Sequence, residues 1–196
     1  VSPPRAPLTF RVGIVGHRPN RLVNADLNRL AAAVRFILDS VKQAVLEVSQ
    51  NSKSHYDGNA PKLRAISPLA EGTDRLFAEQ ALGLGFELCC VMPFPQAEFE
   101  QDFDAANALE ADSLDRFRKL LGRAGARFEM DGNRVDAGAA YGAAGRVVLN
   151  QSDLLVVVWD GERQDKRGGT EETLDEARRR GLPVVWVDAH APHVWQ

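Results

Sequence analysis

The chain has 196 residues, with 24 basic and 27 acidic side chains and a formal net charge of −3. Its 44% apolar and 26% charged content suits a globular domain that buries a core without disulfide or metal staples. That acidic balance lacks the field that draws polyanions to a surface, so it argues against nucleic acid as a partner and against an anionic membrane.

The start, Val1-Ser2-Pro3-Pro4, is proline-rich and has no apolar signal core, and no apolar run approaches a membrane span. Phe10 to Val15 is a short β-rich run broken by Gly16 to Arg21. From Asn24, a candidate N-cap, apolar residues recur at Leu27, Leu30, Val34, Ile37, Leu38, Val41, Val45 and Val48. These steps of three and four predict a long amphipathic helix. The polar stretch Ser49 to Pro61 is expected to be an exposed loop.

Leu63 to Ser67 is a second strand, followed by Pro68 and by Glu71-Gly72-Thr73-Asp74. Thr73 stands where it would cap a helix carrying Leu76, Phe77, Ala81 and Leu84, closed by Gly83 and Gly85. Phe86 to Met92 is nearly all apolar and predicts a strand buried on both faces. It contains Cys89 and Cys90, the two cysteines of the chain. Neighbouring strand residues face opposite ways, so these are expected to be small core hydrophobes of a reducing compartment, which makes the cytoplasm the expected location.

Glu98 to Leu121 is expected to be a polar helical stretch anchored by Phe99, Phe103, Leu109, Phe117 and Leu120, and Ala126 to Met130 a short strand. From Asp136 the chain is dense in small residues (Ala137, Gly138, Ala139, Ala140, Gly142, Ala143, Ala144, Gly145). Glycine is costly inside a helix, so this run predicts a helix pressed against a sheet or a ligand. Leu154 to Trp159 is the most apolar strand, and the charged loop Gly161 to Arg167 is expected to be mobile enough to cover a ligand. A helix from Thr170 to Arg180, stopped by Gly181, and a strand from Pro183 to Val187 complete the alternation. The pattern predicts an α/β fold, a Rossmann-like doubly wound parallel sheet in three layers (α/β/α). Residues 10–189 are expected to form one domain, with a flexible lead over 1–9 and a tail, or the start of a linker to a further domain, over 190–196.

Three loops follow strands and meet helices, and in an open α/β sheet such loops converge at the carboxyl edge, where phosphate ligands bind. In the first, Gly16 allows close backbone approach, His17 offers a hydrogen-bonding or stacking group, and Arg18 a positive fork for phosphate or carboxylate. A plain β-to-α turn with a solvated arginine explains the same residues. In the second, Gly72 and Thr73 present N–H groups and a hydroxyl, and Glu71 or Asp74 suits a ribose hydroxyl. A helix cap with acids in its first turn is the alternative, and for Thr73 alone the better one. The third, Gly168-Gly169-Thr170-Glu171-Glu172, is the most specific: it opens a helix with two carboxylates in the first turn, and Thr170 and Thr173 do not make the capping box that would explain them. Asp160 ends the central strand, where its side chain would reach the same site, and Tyr141 and Arg146 lie on the small-residue helix. His55, His190 and His193 lack metal-ligand spacing, so no metal is expected.

A strand leading to Gly16-His17-Arg18-Pro19, another to Ala70-Glu71-Gly72-Thr73-Asp74 and a third to Gly168-Gly169-Thr170-Glu171-Glu172 resemble the SLOG superfamily. That group of Rossmann-like domains includes the LOG phosphoribohydrolases, the DNA-processing protein DprA and sensor domains of bacterial conflict systems. The resemblance implies a nucleotide site lined by Gly16, Arg18, Gly72, Thr73, Gly168, Gly169 and Thr170. It departs from the LOG motif Pro-Gly-Gly-x-Gly-Thr-x-x-Glu: Arg167 to Glu172 has neither its proline, its third glycine nor its glutamate spacing.

The expected function is therefore binding of a nucleotide or nucleotide derivative in a sensor-like module of a larger protein. The alternative is N-glycosidic hydrolysis, with Glu171 or Glu172 as the catalytic acid. A nucleotide-derived ligand is expected but no cofactor is specified, and a homodimer is compatible with the chain.

Overall fold

The computed structural model describes residues 3–163 and 168–193. The strands are β1 (Thr9–Gly16), β2 (Lys62–Ser67), β3 (Glu87–Met92), β4 (Ala126–Glu129), β5 (Leu154–Trp159) and β6 (Val184–Asp188). The α-helices are α1 (Leu27–Asn51), α2 (Thr73–Gly83), α3 (Gln96–Phe99), α4 (Ser113–Gly122), α5 (Ala137–Asn150) and α6 (Thr170–Arg179). All strand pairs are parallel, in the order β4-β3-β2-β1-β5-β6. The order reverses at β1, whose neighbours are β2 and β5, and Gly16 pairs there with Val158.

Burial on both faces explains why the central strands are so apolar. Val156 and Val158 of β5 pack in one core with α1, α2 and α4, while Leu155, Val157 and Trp159 pack in the other with α5 and α6. The Rossmann-like three-layer fold follows directly from this alternation. Cys90 is buried and Cys89 partly so, both free thiols, and burial raises both their pKa values.

The long first helix starts later than expected. Its N-cap is Asp26, whose Oδ1 accepts from the N–H groups of Asn28 (3.1 Å) and Arg29 (3.0 Å), and not Asn24. At the other end it runs to Asn51, into the stretch expected to be a loop. The largest departure lies between Glu98 and Leu121. The helix after Pro95 lasts four residues, tightens into a 3₁₀ turn at Glu100–Phe103 and stops. There Asp104 Oδ1 accepts from the N–H groups of Ala106 and Asn107, both at 3.1 Å, a local bond that competes with the helix ladder. Phe99, Phe103, Phe117 and Leu120 are buried as anchors, whereas Leu109 is 50% exposed.

Asp136 caps α5 by accepting from the Ala139 N–H. The small residues of this helix admit close neighbours: a Cβ at Gly145 would lie 3.0 Å from Thr173 Oγ1, and one at Gly142 3.6 Å from the Gly168 Cα. Residues 164–167 of the charged loop, residues 1–2 of the lead and residues 194–196 of the tail lie outside the described residues.

Candidate functional site

The first loop is built around a carbonyl. The His17 oxygen accepts from both the N–H and the Oγ1 of Thr73, each at 3.1 Å, which ties the first loop to the start of α2. Gly16 is needed for that closeness, since a Cβ would sit 2.4 Å from Thr73 Oγ1 and 2.9 Å from the Val158 carbonyl. The His17 ring is buried against Asp160, whose backbone N–H (3.1 Å) and Oδ1 (3.0 Å) both meet Nε2. Burial lowers the His17 pKa, against the opposing hydrogen bond and charge of Asp160.

Pro19–Arg21 forms a 3₁₀ turn that brings Arg21 onto Asp160 Oδ2, with its Nε at 3.0 Å. Against a burial that would raise it, Arg21, the Glu162 N–H and His17 hold the Asp160 carboxyl down to about 2. Asp160 is thus an ionised anchor between the first loop and the end of β5. Arg18 is differently placed. Its guanidinium carbon lies 5.4 Å from the Tyr141 ring centroid, and Nη2 is 3.8 Å from Asp102 Oδ2, outside hydrogen-bond distance. The Tyr141 hydroxyl donates to Asp102, and burial together with that carboxylate pushes its pKa up to about 12.

The second loop turns mostly away. Glu71 is 1% exposed, and its Oε1 accepts from the N–H groups of Leu109 (2.9 Å) and Glu110 (3.2 Å). The Gly72 N–H donates to Glu110 Oε1 at 3.1 Å. Gly72 has φ +86°, and a Cβ there would lie 2.6 Å from the His17 carbonyl. Thr73 donates to His17 rather than capping α2, whose N-cap is Gly72 with no side-chain bond. Only Asp74 of this loop faces the open space, 6% exposed and accepting from the Ala70 N–H. Burial raises its pKa to about 7, against the opposing pull of Arg18.

In the third loop Gly168 adopts φ +77°, and a Cβ would lie 2.4 Å from the Gly138 carbonyl. Its N–H donates to Glu172 Oε2 at 2.6 Å, which turns Glu172 back onto the loop. Gly169 is the N-cap of α6, and its carbonyl accepts from Thr173 N–H (3.2 Å) and Oγ1 (3.1 Å). The first N–H groups of α6 have no side-chain cap. Glu171 pairs with Arg163 at 3.0 Å.

These loops border a cleft of about 450 Å³ at the carboxyl ends of β1 and β5, the switch point of the sheet. Gly16, His17, Arg18, Asp74, Gly168, Gly169, Thr170 and Glu171 line it. Glu71, Gly72, Thr73, Asp160 and Glu172 do not, and act through the contacts given above. Arg21, Tyr141, Leu109 and Glu162 join the lining. Arg21 carried a signal in the sequence, since Arg18 and Arg21 are three apart in a turn opened by Pro19. Leu109 carried none, because its place depends on the distant Glu71. Among the described residues no cluster of metal-ligating side chains occurs.

No family profile matches the chain, and no curated protein matches it in sequence. Among solved structures it is similar to DNA processing protein A (DprA) from Helicobacter pylori, described for its single-stranded DNA binding mode, with TM-score 0.52 and 16% identity. That match covers 91% of this chain and 65% of that one. The structural-genomics target TM1055 matches with TM-score 0.50 and 11% identity over 94% of this chain and 77% of that one. DprA from Streptococcus pneumoniae matches at TM-score 0.49 and 16% identity over 91% of this chain, which spans half of that protein's length.

The expectation that nucleic acid is an unlikely partner is corrected by these neighbours, one of which is described by its binding of single-stranded DNA. A net charge of −3 is a property of the whole surface, whereas strand binding depends on local contacts. No helix among the described residues is long and apolar enough to cross a membrane. The chain has a Rossmann-like α/β fold, the fold it shares with these solved structures.

Proposed function

We propose that this domain binds a nucleotide or nucleotide derivative through its phosphate, as a ligand-responsive module of a longer cytoplasmic protein. The observation that carries this reading is the convergence of Arg18 and the uncapped start of α6 on one cleft at the switch point. Arg18 supplies a charge-assisted fork and α6 supplies N–H groups at the positive end of its dipole. The apolar wall of Pro68, Ala70, Leu109 and Tyr141 suits a base or ribose beside them.

The test is calorimetry with AMP, cyclic AMP, NAD, ADP-ribose and a short oligothymidylate. Saturable binding of at least one, weakened about 10- to 100-fold in Arg18→Ala, supports the reading, since a charge-assisted bond contributes about 1.5–3 kcal/mol. No binding across the panel removes it. The oligothymidylate tests a second reading, single-strand binding, which rests on the fold likeness to the Helicobacter pylori protein.

Glu171 on the cleft wall favours one further reading, N-glycosidic hydrolysis with this carboxylate activating water or stabilising the oxocarbenium. Chromatography of AMP incubations for free adenine and ribose 5-phosphate decides it. Binding without turnover leaves a binding domain alone.

A further inference from the structure

Asp74 is the one acidic residue of the second loop that reaches the cleft, and its surroundings do not suit an anion. The side chain is 6% exposed, and the backbone N–H of Ala70 is its donor. The nearby cations are committed elsewhere: Arg18 leans on Tyr141 and Asp102, and Arg75 bonds Leu69 and Ser113 and pairs with Glu110 at 3.7 Å. Cys90 of β3 faces it as a buried neutral thiol whose own pKa is pushed up in part by Asp74. An ionised carboxylate needs several donors once removed from water, and one N–H is too few.

An arriving phosphate makes this worse. It brings negative charge into the same cleft and draws Arg18 away, the cation whose field favours ionised Asp74. Both changes favour the neutral acid. A carboxylic acid also has what a ligand oxygen needs and a carboxylate lacks, an O–H donor.

We infer that Asp74 occupies the liganded cleft as a neutral carboxylic acid that donates to an acceptor of an anionic ligand, so that binding takes up a proton. This deepens the nucleotide reading and rests on it. The free protein is poised for it, because burial already holds the Asp74 pKa at about 7. His17 does not contribute above neutrality, its pKa being below the ordinary value, and Tyr141 titrates near 12. Glu162 and Glu171 are the other acids lining the cleft, paired with Arg21 and Arg163, and Asp102 lies beside Arg18, paired with Arg134.

The experiment is calorimetry of ADP-ribose and cyclic AMP between pH 7 and 8.5, in buffers of different ionisation enthalpy. Cyclic AMP is a phosphate diester and ADP-ribose a pyrophosphate diester, both of fixed charge in this range, so uptake reports on the protein. The expected result is uptake approaching one proton per ligand and a Kd that weakens up to about tenfold per pH unit, as linkage requires for one site. Asp74→Asn, which keeps a donor without a titrating proton, should bind with no uptake and a flat Kd.

Binding with no proton exchange, or with uptake retained in Asp74→Asn, overturns the inference and leaves the nucleotide reading standing. Proton release also overturns it, because a carboxylate accepting ligand hydroxyls would tighten binding as pH rises. Failure of both probes and of the rest of the nucleotide panel overturns both. The wild-type buffer dependence decides the sign even if the variant does not fold.

Discussion

Two acids, Asp74 in the cleft and Asp160 behind its first loop, carry opposite kinds of polar cost. Asp160 is ionised and fully served by Arg21, His17 and the Glu162 N–H, while Asp74 is buried with a single donor. Their effects on stability therefore run in opposite directions with pH. For Asp74 the folded pKa, about 7, lies above the unfolded value of 3.8, so the native state holds a proton that the unfolded chain has lost. That stabilisation is fully present below about pH 4 and is lost as pH rises to 7, by about 1.4 kcal/mol for each pH unit crossed. Asp74→Asn removes this dependence, so its melting temperature should gain on the wild type between pH 4 and 7 and hold that gain above 7. Differential scanning calorimetry at pH 5 and pH 8 checks this; an equal difference at the two pH values would show that Asp74 does not titrate in the folded protein. For Asp160 the folded pKa is depressed to about 2, so its contribution is present above the ordinary carboxylate range and lost in acid. Asp160→Asn should destabilise at pH 7 and much less at pH 2.5.

At the level of elements, the glycines that matter hold loops together. Gly168 combines φ +77° with a Cβ position 2.4 Å from the Gly138 carbonyl, so Gly168→Ala must shift the start of α6 away from α5. The expected outcome is a loss of about 1–3 kcal/mol of stability, from the strained backbone alone, together with loss of nucleotide binding. Gly58, at φ +80° with open space around it, is the control and should leave binding unchanged when replaced by Asn. Period and composition made most elements legible. The apolar steps from Leu27 to Val48 read as a helix, and the unbroken Leu154–Trp159 read as a strand covered on both sides. The break after Phe103 was not legible, because sparse aromatic anchors have the same spacing whether one helix or two short ones carry them. The Asp104 side chain decides between these by bonding its own neighbours. The second loop misled in a related way. Glu71, Gly72 and Thr73 have the chemistry of ligand contacts, but the segment that uses Glu71 and Gly72 lies 38 residues further along the chain. Glu71 thus acts by holding Leu109 against the cleft. Glu71→Ala leaves the Leu109 and Glu110 N–H groups without their acceptor, and limited proteolysis should then cut between residues 104 and 112 faster than in the wild type.

For the whole molecule, charge and cleft geometry pull against each other. A net charge of −3 gives no long-range attraction for a phosphate ligand, so the affinity must come from the few groups inside the cleft. This separates the two ways in which a nucleotide could be held. A free nucleotide seated in the cleft meets Arg18 and the start of α6. A strand lying across the surface would instead neutralise its phosphates with exposed arginines, and each such phosphate steepens the salt dependence by about 0.7 in the log–log slope for single strands. If an oligothymidylate binds by the cleft, its slope should correspond to one or two phosphates, ADP-ribose should compete it off, and Arg18→Ala should weaken both ligands together. A slope of three or more, with no competition by ADP-ribose and no effect of Arg18→Ala, would locate strand binding on another face and separate it from the switch-point cleft. Fluorescence titration between 50 and 300 mM salt makes the measurement, with Trp159 on the cleft wall as the reporter.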